Sequence, residues 1–396
     1  MSGPLAGIKV VELAQIMAGP TCGMLLADMG ADVIKVEKLP GGDDTRSYTE
    51  PLQGGESAAF MMLNRNKRGI AVNLKTPGGL EVVKKLLADA DVVTENYRKG
   101  TLEKLGLGYE VLEKLNPRLI YCAISGYGRT GPYADKGGFD LIAQGFAGIM
   151  SVTGEPGRPP VKSGTSIADI NAGIFAALGI VSALFARNTT GRGQMVETSL
   201  MEAAIQQTYW QSAIYFATGK NSEPSGSAHI LTAPYQAFPT ADGWINVGGA
   251  NQSNWERMVK SLGRPELASD PRFLTNGDRM RNLPALTEIL GELFRKRPSA
   301  DWIREFEAGG IPVGPVNKIG DMLADPQVAH REMVVEVEHA KVGRMKALGF
   351  PIKFSNTKGE VKRAAPLLGQ HTDEVLHGLG YDAAAIARLR EEGAVR

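Results

Sequence analysis

Short apolar runs alternate with segments of helical spacing over the first 125 residues of the chain. The runs are rich in β-branched side chains and predict strands. They lie at residues 8–13, 32–37, 68–74, 91–96 and 118–125. Repeated strand–helix–strand units predict an α/β fold with a parallel sheet that is covered on both faces. Ligands bind such sheets beyond the carboxyl ends of the strands, and we expect the site at that edge.

The pattern changes further along the chain. Helical spacing dominates residues 139–218, and a segment rich in Gly, Ser and Pro follows from residue 219. Strand signals return at about residue 330. We therefore predict a large domain of residues 1–218, completed by residues 330–396, and a small domain with linkers at residues 219–329.

Charge and composition narrow the classes of function. The chain has 44 Lys and Arg against 43 Asp and Glu, so no global field attracts nucleic acid or a membrane, and neither is an expected partner. Two cysteines and the lack of a signal-peptide pattern predict a cytoplasmic protein. The apolar stretch at residues 174–186 is predicted to be too short to cross a bilayer.

Several short motifs give weak signals. Residues 126–131 match G-x-G-x-x-G, but Pro132 follows and no helix begins there, which favours a tight loop. The histidines and cysteines lack metal-ligand spacing, and we expect no metal site. The basic cluster at residues 64–68 suits either a solvated loop or a phosphate anchor. Basic residues after strand ends suit a ligand with several phosphates: Lys38, Lys75, Arg98 and Lys104.

Asp169 is the candidate for chemistry. Ser166 and Asp169 have the spacing of a capping box at the start of a predicted helix. The positive end of a helix favours an ionised carboxylate, which can act as a nucleophile. The neighbours Ala168, Ala172 and Gly173 are small, and they would leave room for a bulky ligand.

The chain as a whole resembles the class III coenzyme A transferases of the CaiB/BaiF type, the family that includes formyl-CoA transferase. No single piece is decisive, but the pieces occur in the family's order along nearly the whole chain. They are residues 18–46, 63–75, 93–133, 138–154, 166–180, 191–200, 310–317 and 365–376.

The resemblance implies a role for each matching residue. Asp169 matches the aspartate that attacks the acyl-CoA thioester. The residues that match coenzyme-binding positions are Met17, Ala18, Lys38, Val72, Asn73, Leu74, Lys75, Asn96, Tyr97, Arg98, Lys104, Gly137, Gly138, Phe139 and Asp140. Gly137 stands where the family has lysine, and Lys136 is the neighbouring candidate to replace it. Coenzyme A and acyl-CoA are then substrates, and no tightly bound cofactor is expected.

The family fold is also implied. It has a Rossmann-like large domain, a smaller α+β second domain and an open-ring subunit. Two such rings interlock, which predicts an obligate homodimer.

The implied reaction moves CoA from an acyl-CoA donor, such as succinyl-CoA or acetyl-CoA, to a carboxylic acid through an aspartyl anhydride and an aspartyl-CoA thioester. A small dicarboxylate is the expected acceptor. An α-methylacyl-CoA racemase is an alternative, but it needs a proton-carrying histidine where this chain has Phe139. An NAD-dependent oxidoreductase and a non-catalytic CoA-binding protein are alternatives of other classes.

Overall fold

The computed structural model describes residues 3–48 and 50–396. The strands are β1 (Lys9–Leu13), β2 (Asp32–Lys38), β3 (Leu52–Gln53), β4 (Glu56–Ser57), β5 (Arg68–Val72), β6 (Val92–Glu95), β7 (Ile120–Ser125), β8 (Met195–Ser199), β9 (Tyr235–Pro239), β10 (Trp244–Gly248), β11 (Val313–Pro315), β12 (Val334–His339) and β13 (Gly343–Leu348). The α-helices of the amino-terminal half are α1 (Ala18–Asp28), α2 (Ala58–Leu63), α3 (Pro77–Ala88), α4 (Thr101–Lys104), α5 (Tyr109–Leu115), α6 (Asp140–Phe146), α7 (Ile149–Val152), α8 (Ile167–Thr190), α9 (Leu200–Ile205) and α10 (Tyr209–Thr218). Those that follow are α11 (Gln252–Ser261), α12 (Asn276–Arg281), α13 (Leu283–Phe294), α14 (Ser299–Ala308), α15 (Ile319–Ala324), α16 (Pro326–His330), α17 (Thr372–Gly378) and α18 (Ala383–Glu391).

The chain forms two compact units. The first comprises Met1–Ile149, Lys162–Phe216 and Pro326–Arg396, and the second comprises Met150–Val161 and Ala217–Asp325. The second unit therefore includes residues 150–161, which the sequence-based bounds of 219–329 had left in the large domain.

A six-stranded parallel sheet lies at the centre of the first unit. Its strand order is β5-β2-β1-β6-β7-β8, and every neighbouring pair is parallel. All five strands predicted in the first 125 residues are present in this sheet. The sixth strand, β8, was not predicted because MVETS mixes apolar and polar residues and because residues 139–218 as a whole have helical spacing.

Alternate residues of the central strands face two different cores. Val10 and Val92 belong to the core formed with α1, α8 and α9, whereas Val11 and Val93 belong to the core formed with α3, α5, α17 and α18. Successive strand side chains point to opposite faces, so helices cover the sheet on both sides. The mixed α/β fold with a parallel sheet is confirmed.

Helix α8 is longer than the apolar stretch that predicted it. It has 24 residues and is long and apolar enough to cross a membrane by length and composition, so the length argument from residues 174–186 was wrong. Such a helix is also typical of a protein core, and one buried stripe of α8 consists of Ala168, Ala172 and Ala176. A Cβ on Gly173 would lie 2.6 Å from the carbonyl oxygen of Ala18, so α8 and α1 are in close contact.

The second unit has its own sheet and core. The three-stranded antiparallel sheet has the order β11-β10-β9. Its core is aromatic and includes Phe238, Trp255, Phe294 and Phe306.

Candidate active site

A cavity of about 550 Å³ opens at the carboxyl ends of the parallel strands in the first unit. The segments that line it follow β1, β2, β6, β7 and β8, or belong to residues 134–139 and the start of α8. The lining residues are Gln15, Ile16, Met17, Ala18, Asp44, Asn96, Tyr97, Arg98, Lys99, Thr101, Ile124, Ser125, Gly126, Ala134, Asp135, Lys136, Gly137, Gly138, Phe139, Asp169 and Leu200. The cavity therefore lies at the edge where an α/β sheet binds ligands.

Asp169 lies in the first turn of α8 and lines this cavity. The predicted capping box is wrong, since the Ser166 side chain makes no capping hydrogen bond. Asp140 supplies the acceptor from the start of α6, where its Oδ1 accepts from the backbone N–H of Ala168 at 2.9 Å and from that of Asp169 at 3.4 Å. A carboxylate at this position accepts from amides that have no partner within the helix and compensates the positive end of the helix dipole.

The electrostatic environment of Asp169 opposes ionisation. Burial is the larger cause, and the charge of Asp140 adds to it; together they raise the pKa of Asp169 to about 7. The sequence had suggested that the helix start keeps this carboxylate ionised. The protonated and ionised forms of Asp169 are instead both populated near neutral pH.

Gln144 fixes the orientation of Asp140. Its Nε2 donates to Asp140 Oδ2 at 2.6 Å, and its Oε1 accepts from the backbone N–H of Ser163 at 2.9 Å. Asp140 and Gln144 are four residues apart on α6, a spacing that places side chains together on a helix. That spacing was the signal in the sequence that could have identified Gln144.

The cavity brings together many of the predicted site residues but not all of them. Met17, Ala18, Asn96, Tyr97, Arg98, Lys136, Gly137, Gly138, Phe139 and Asp169 line it. Those outside its lining are Lys38, Val72, Asn73, Leu74, Lys75, Lys104 and Asp140. Val72 is fully buried in the core, and Lys38 forms an ion pair with Asp44 of the lining.

Sequence reasoning missed the other lining residues. They are Gln15, Ile16, Asp44, Lys99, Thr101, Ile124, Ser125, Gly126, Ala134, Asp135 and Leu200. Six of these eleven lie at the carboxyl end of β1, β7 or β8 or within three residues after it, so the rule about carboxyl ends, applied to every strand, would have found them: Gln15, Ile16, Ile124, Ser125, Gly126 and Leu200.

The motif at residues 126–131 is a loop, as predicted, and starts no helix. Arg129 anchors this loop by an ion pair with the buried Glu95 at 2.6 Å. A Cβ on Gly137 would lie 3.3 Å from a guanidinium nitrogen of Arg98, so Arg98 packs against position 137. Lys136 Nζ lies 3.7 Å from the centre of the Tyr133 ring.

Two basic residues of the cluster at residues 64–68 belong neither to a solvated loop nor to a phosphate anchor. Arg65 and Lys67 are 3% and 0% exposed. They form ion pairs with Asp28 and Glu12, respectively. These two side chains are therefore neither solvated nor free to bind a phosphate. Within residues 3–48 and 50–396, no group of three His, Cys, Asp or Glu side chains is arranged to hold a metal ion.

Comparison with known proteins gives the family of the chain. The sequence model of CoA-transferase family III matches residues 5–372. The chain belongs to CoA-transferase family III. The predicted family and the predicted class of enzyme, a CoA-transferase, are thus confirmed.

Similar proteins match this CoA-transferase over nearly its whole length. Human succinyl-CoA:glutarate CoA-transferase is 39% identical, covering 99% of this chain and 90% of the human protein. Succinate–glutarate CoA-transferase of Agrobacterium fabrum is 41% identical, covering 94% of this chain and 95% of its own. A CaiB/BaiF family protein from Brucella suis has a similar crystal structure, with a TM-score of 0.86, 41% identity and coverage of 96% of this chain and 100% of that chain.

Proposed function

We propose that this CoA-transferase moves CoA from succinyl-CoA to a small dicarboxylic acid, such as glutarate, with Asp169 as the nucleophile. The observation that carries the proposal is a carboxylate, Asp169, in a cavity at the carboxyl ends of the parallel strands. The substrates are inferred from relatives named for succinyl-CoA with glutarate, D-citramalate, L-malate or mesaconate.

Covalent catalysis divides the exchange into balanced steps. An Asp169 oxygen attacks the thioester carbonyl, and the CoA thiolate leaves to give a mixed anhydride. The thiolate then attacks the aspartyl carbonyl, releases the donor acid and forms an aspartyl-CoA thioester. The acceptor carboxylate attacks that thioester and expels the CoA thiolate, which gives a second mixed anhydride. The thiolate finally attacks the acceptor's acyl carbonyl, forms the new acyl-CoA and releases the Asp169 carboxylate. Water must be excluded because it would hydrolyse the anhydride.

Backbone N–H groups near the nucleophile would stabilise the oxyanions of these steps. Those of Ala168 and Asp169 already donate to Asp140. The backbone of residues 137–139, which also lines the cavity, is the better candidate.

The basic residues of the lining suit the phosphates of coenzyme A. Arg98, Lys99 and Lys136 line the cavity, and Lys38 reaches it through its ion pair with Asp44. We assign the roles of Lys75 and Lys104 to the outer part of the same nucleotide, since Lys75 follows β5 and Lys104 ends α4, the helix after β6.

The finer fold features of the family are part of the same proposal. When the six parallel strands are numbered by their order along the chain, they lie in the sheet in the order 3-2-1-4-5-6. This order is that of a Rossmann fold and supports a Rossmann-like domain. Exposed apolar side chains on α8, among them Leu178 and Phe185, support an interlocked homodimer. We further propose that the dimer acts in the cytoplasm and uses no tightly bound cofactor.

The decisive experiment is to replace Asp169 and to trap its acyl form. Asp169→Ala should lower transfer from succinyl-CoA to glutarate by at least about 10³-fold, since the covalent route is lost. Hydroxylamine added during turnover should convert Asp169 of the native enzyme to a hydroxamate that mass spectrometry detects. Asp373→Asn is the matched control, because it removes a carboxylate on α17, outside the cavity lining, and should retain transfer. Substantial turnover by Asp169→Ala would refute the mechanism.

A further inference from the structure

Four charged side chains form a buried cluster behind one wall of the cavity. Glu12, Lys35 and Lys67 are 0% exposed, and Asp43 is 3% exposed. Lys35 Nζ lies 2.9 Å from Glu12 Oε1 and 2.9 Å from Asp43 Oδ2, and Lys67 Nζ lies 2.8 Å from Glu12 Oε2. These residues come from β1, β2, the segment after β2 and the segment before β5, and none of them lines the cavity.

A buried cluster of charged side chains contributes little net stability to a fold. Removing four charges from water is costly, and apolar side chains of similar size often give equal or greater stability. The chain also makes room for it, since a Cβ on Gly23 would lie 1.8 Å from Glu12 Oε2. The contacts of the cluster suggest what else it does.

The cluster bonds to the backbone of residues 14–20, which we call the wall segment. Lys35 Nζ donates to the carbonyl of Ala14 at 2.8 Å, and Lys67 Nζ donates to that of Pro20 at 2.9 Å. Between them, the N–H of Ile16 donates to Asp43, at 3.1 Å from Oδ1 and 3.2 Å from Oδ2. The two ends and the middle of the wall segment are thus each held by a different buried charge.

The wall segment forms part of the cavity in a conformation that needs support. Gln15, Ile16, Met17 and Ala18 all line the cavity. Ile16 has a φ of +70°, which is rare and strained for a β-branched residue. Strained backbone persists only where surrounding contacts hold it.

We propose that Lys35, Asp43 and Lys67 are positioning residues for coenzyme A, because they hold the wall segment in the shape that the bound coenzyme contacts. This inference rests on the proposed function. It also gives a role to the basic cluster at residues 64–68, since Lys67 bonds to the backbone of Pro20 behind the cavity. Burial alone would raise the pKa of Asp43, but Lys35 and the N–H groups of Thr45 and Ile16 outweigh it and bring that pKa to about 2.

The test compares coenzyme binding with stability in two variants. Asp43→Asn and Lys67→Met should each weaken CoA binding, measured by calorimetry, by roughly ten- to a hundredfold, as expected for loss of a charged hydrogen bond. The KM for acyl-CoA should rise in parallel. The kcat at saturating acyl-CoA and the KM for the acid should stay within about threefold, since Asp169 is not displaced.

Asp28→Asn is the matched control. Asp28 is 1% exposed, forms a 2.6 Å ion pair with Arg65 and lies at the other end of α1, away from the cavity. The control should lower Tm as the two test variants do but leave CoA binding unchanged. If Asp43→Asn and Lys67→Met also lower Tm without weakening CoA binding, the cluster is purely structural and the inference is wrong.

A measurement on the native enzyme covers the case in which the variants do not fold. The amide of Ile16 should exchange its hydrogen slowly without coenzyme, because a buried carboxylate already holds it. Fast exchange there would show that the wall segment is not held in advance, which overturns the inference. The proposed function is tested separately, since a native enzyme that binds CoA but transfers none would refute transfer and not positioning.

Discussion

The backbones of Gly126 and Gly138 cross with no space for a side chain on either residue. A Cβ on Gly126 would lie 2.7 Å from the nitrogen of Gly138, and a Cβ on Gly138 would lie 2.6 Å from the Cα of Gly126. Gly126 follows β7, and Gly138 precedes α6, which carries Asp140. The crossing therefore holds the segment after β7 against the segment before α6, and both glycines line the cavity.

Gly138→Ala should disturb this crossing. The clash is with backbone, which cannot rotate away, so the loop must shift at a cost of about 1–3 kcal/mol. We expect a lower Tm and weaker CoA binding, measured by thermal unfolding and calorimetry. Gly378→Ala is the control, because a Cβ there meets nothing within 4 Å. Equal Tm values and equal CoA affinities in the two variants would show that the crossing does not constrain the site.

The pH dependence of transfer should report the ionisation of Asp169. The attacking form is the carboxylate, and the pKa of Asp169 is raised to about 7 by burial and then by Asp140. The kcat/KM for acyl-CoA should therefore rise about tenfold per pH unit below pH 7 and level off above it. Asp140→Asn keeps an oxygen acceptor for α8 but removes the like charge, so the midpoint should move to lower pH.

Asp135→Asn controls for a general loss of negative charge in the cavity, because Asp135 is exposed and lines the same cavity. Its midpoint should match that of the native enzyme. If Asp140→Asn also leaves the midpoint in place, the charge of Asp140 does not influence the nucleophile.

The same raised pKa has a consequence for stability. The folded chain holds a proton on Asp169 between about pH 4 and pH 7, whereas the unfolded chain has released it. Folded stability from this group therefore falls as pH rises through that window, and it stays low above pH 7. Asp169→Asn cannot ionise, so its free energy of unfolding should not fall in this window. The stability of the variant relative to the native chain should therefore increase by on the order of 1–2 kcal/mol from pH 4 to pH 8, after allowance for partial exposure. Chemical denaturation at the two pH values measures this difference, and an equal effect at both would contradict it.

The sequence predicts the parallel sheet and the edge that binds ligand because both depend on local periodicity. Five of the six parallel strands follow from their own residues, and the segments after β1, β6 and β7 line the cavity as the sheet rule requires. The partners of buried polar groups could not be predicted in this way. Lys67 pairs with Glu12, which is 55 residues away. Its basic neighbours in the sequence indicate a surface loop, and only the tertiary contacts show that it is buried.

The exposed apolar face of α8 could not be predicted from the sequence either. Its period predicted a helix, but the exposed stripe opposite the buried alanines becomes visible only once the helix is packed. That stripe includes Ile174, Leu178 and Phe185, which are 43%, 60% and 77% exposed. Apolar side chains aligned on one face of a helix are typical of a protein interface.

Leu178→Arg should therefore prevent homodimer assembly. Burying leucine contributes about 1.5–3 kcal/mol, and an unpaired arginine in its place would have to be desolvated as well. In sedimentation velocity we expect the native chain at twice its mass of 42.3 kDa and the variant as monomer or aggregate. Val111→Arg is the matched control, since Val111 is an apolar residue on α5 that is 47% exposed, and it should remain a dimer. A native chain that sediments at 42.3 kDa, or a Leu178→Arg variant that assembles as Val111→Arg does, would exclude this face as the dimer interface.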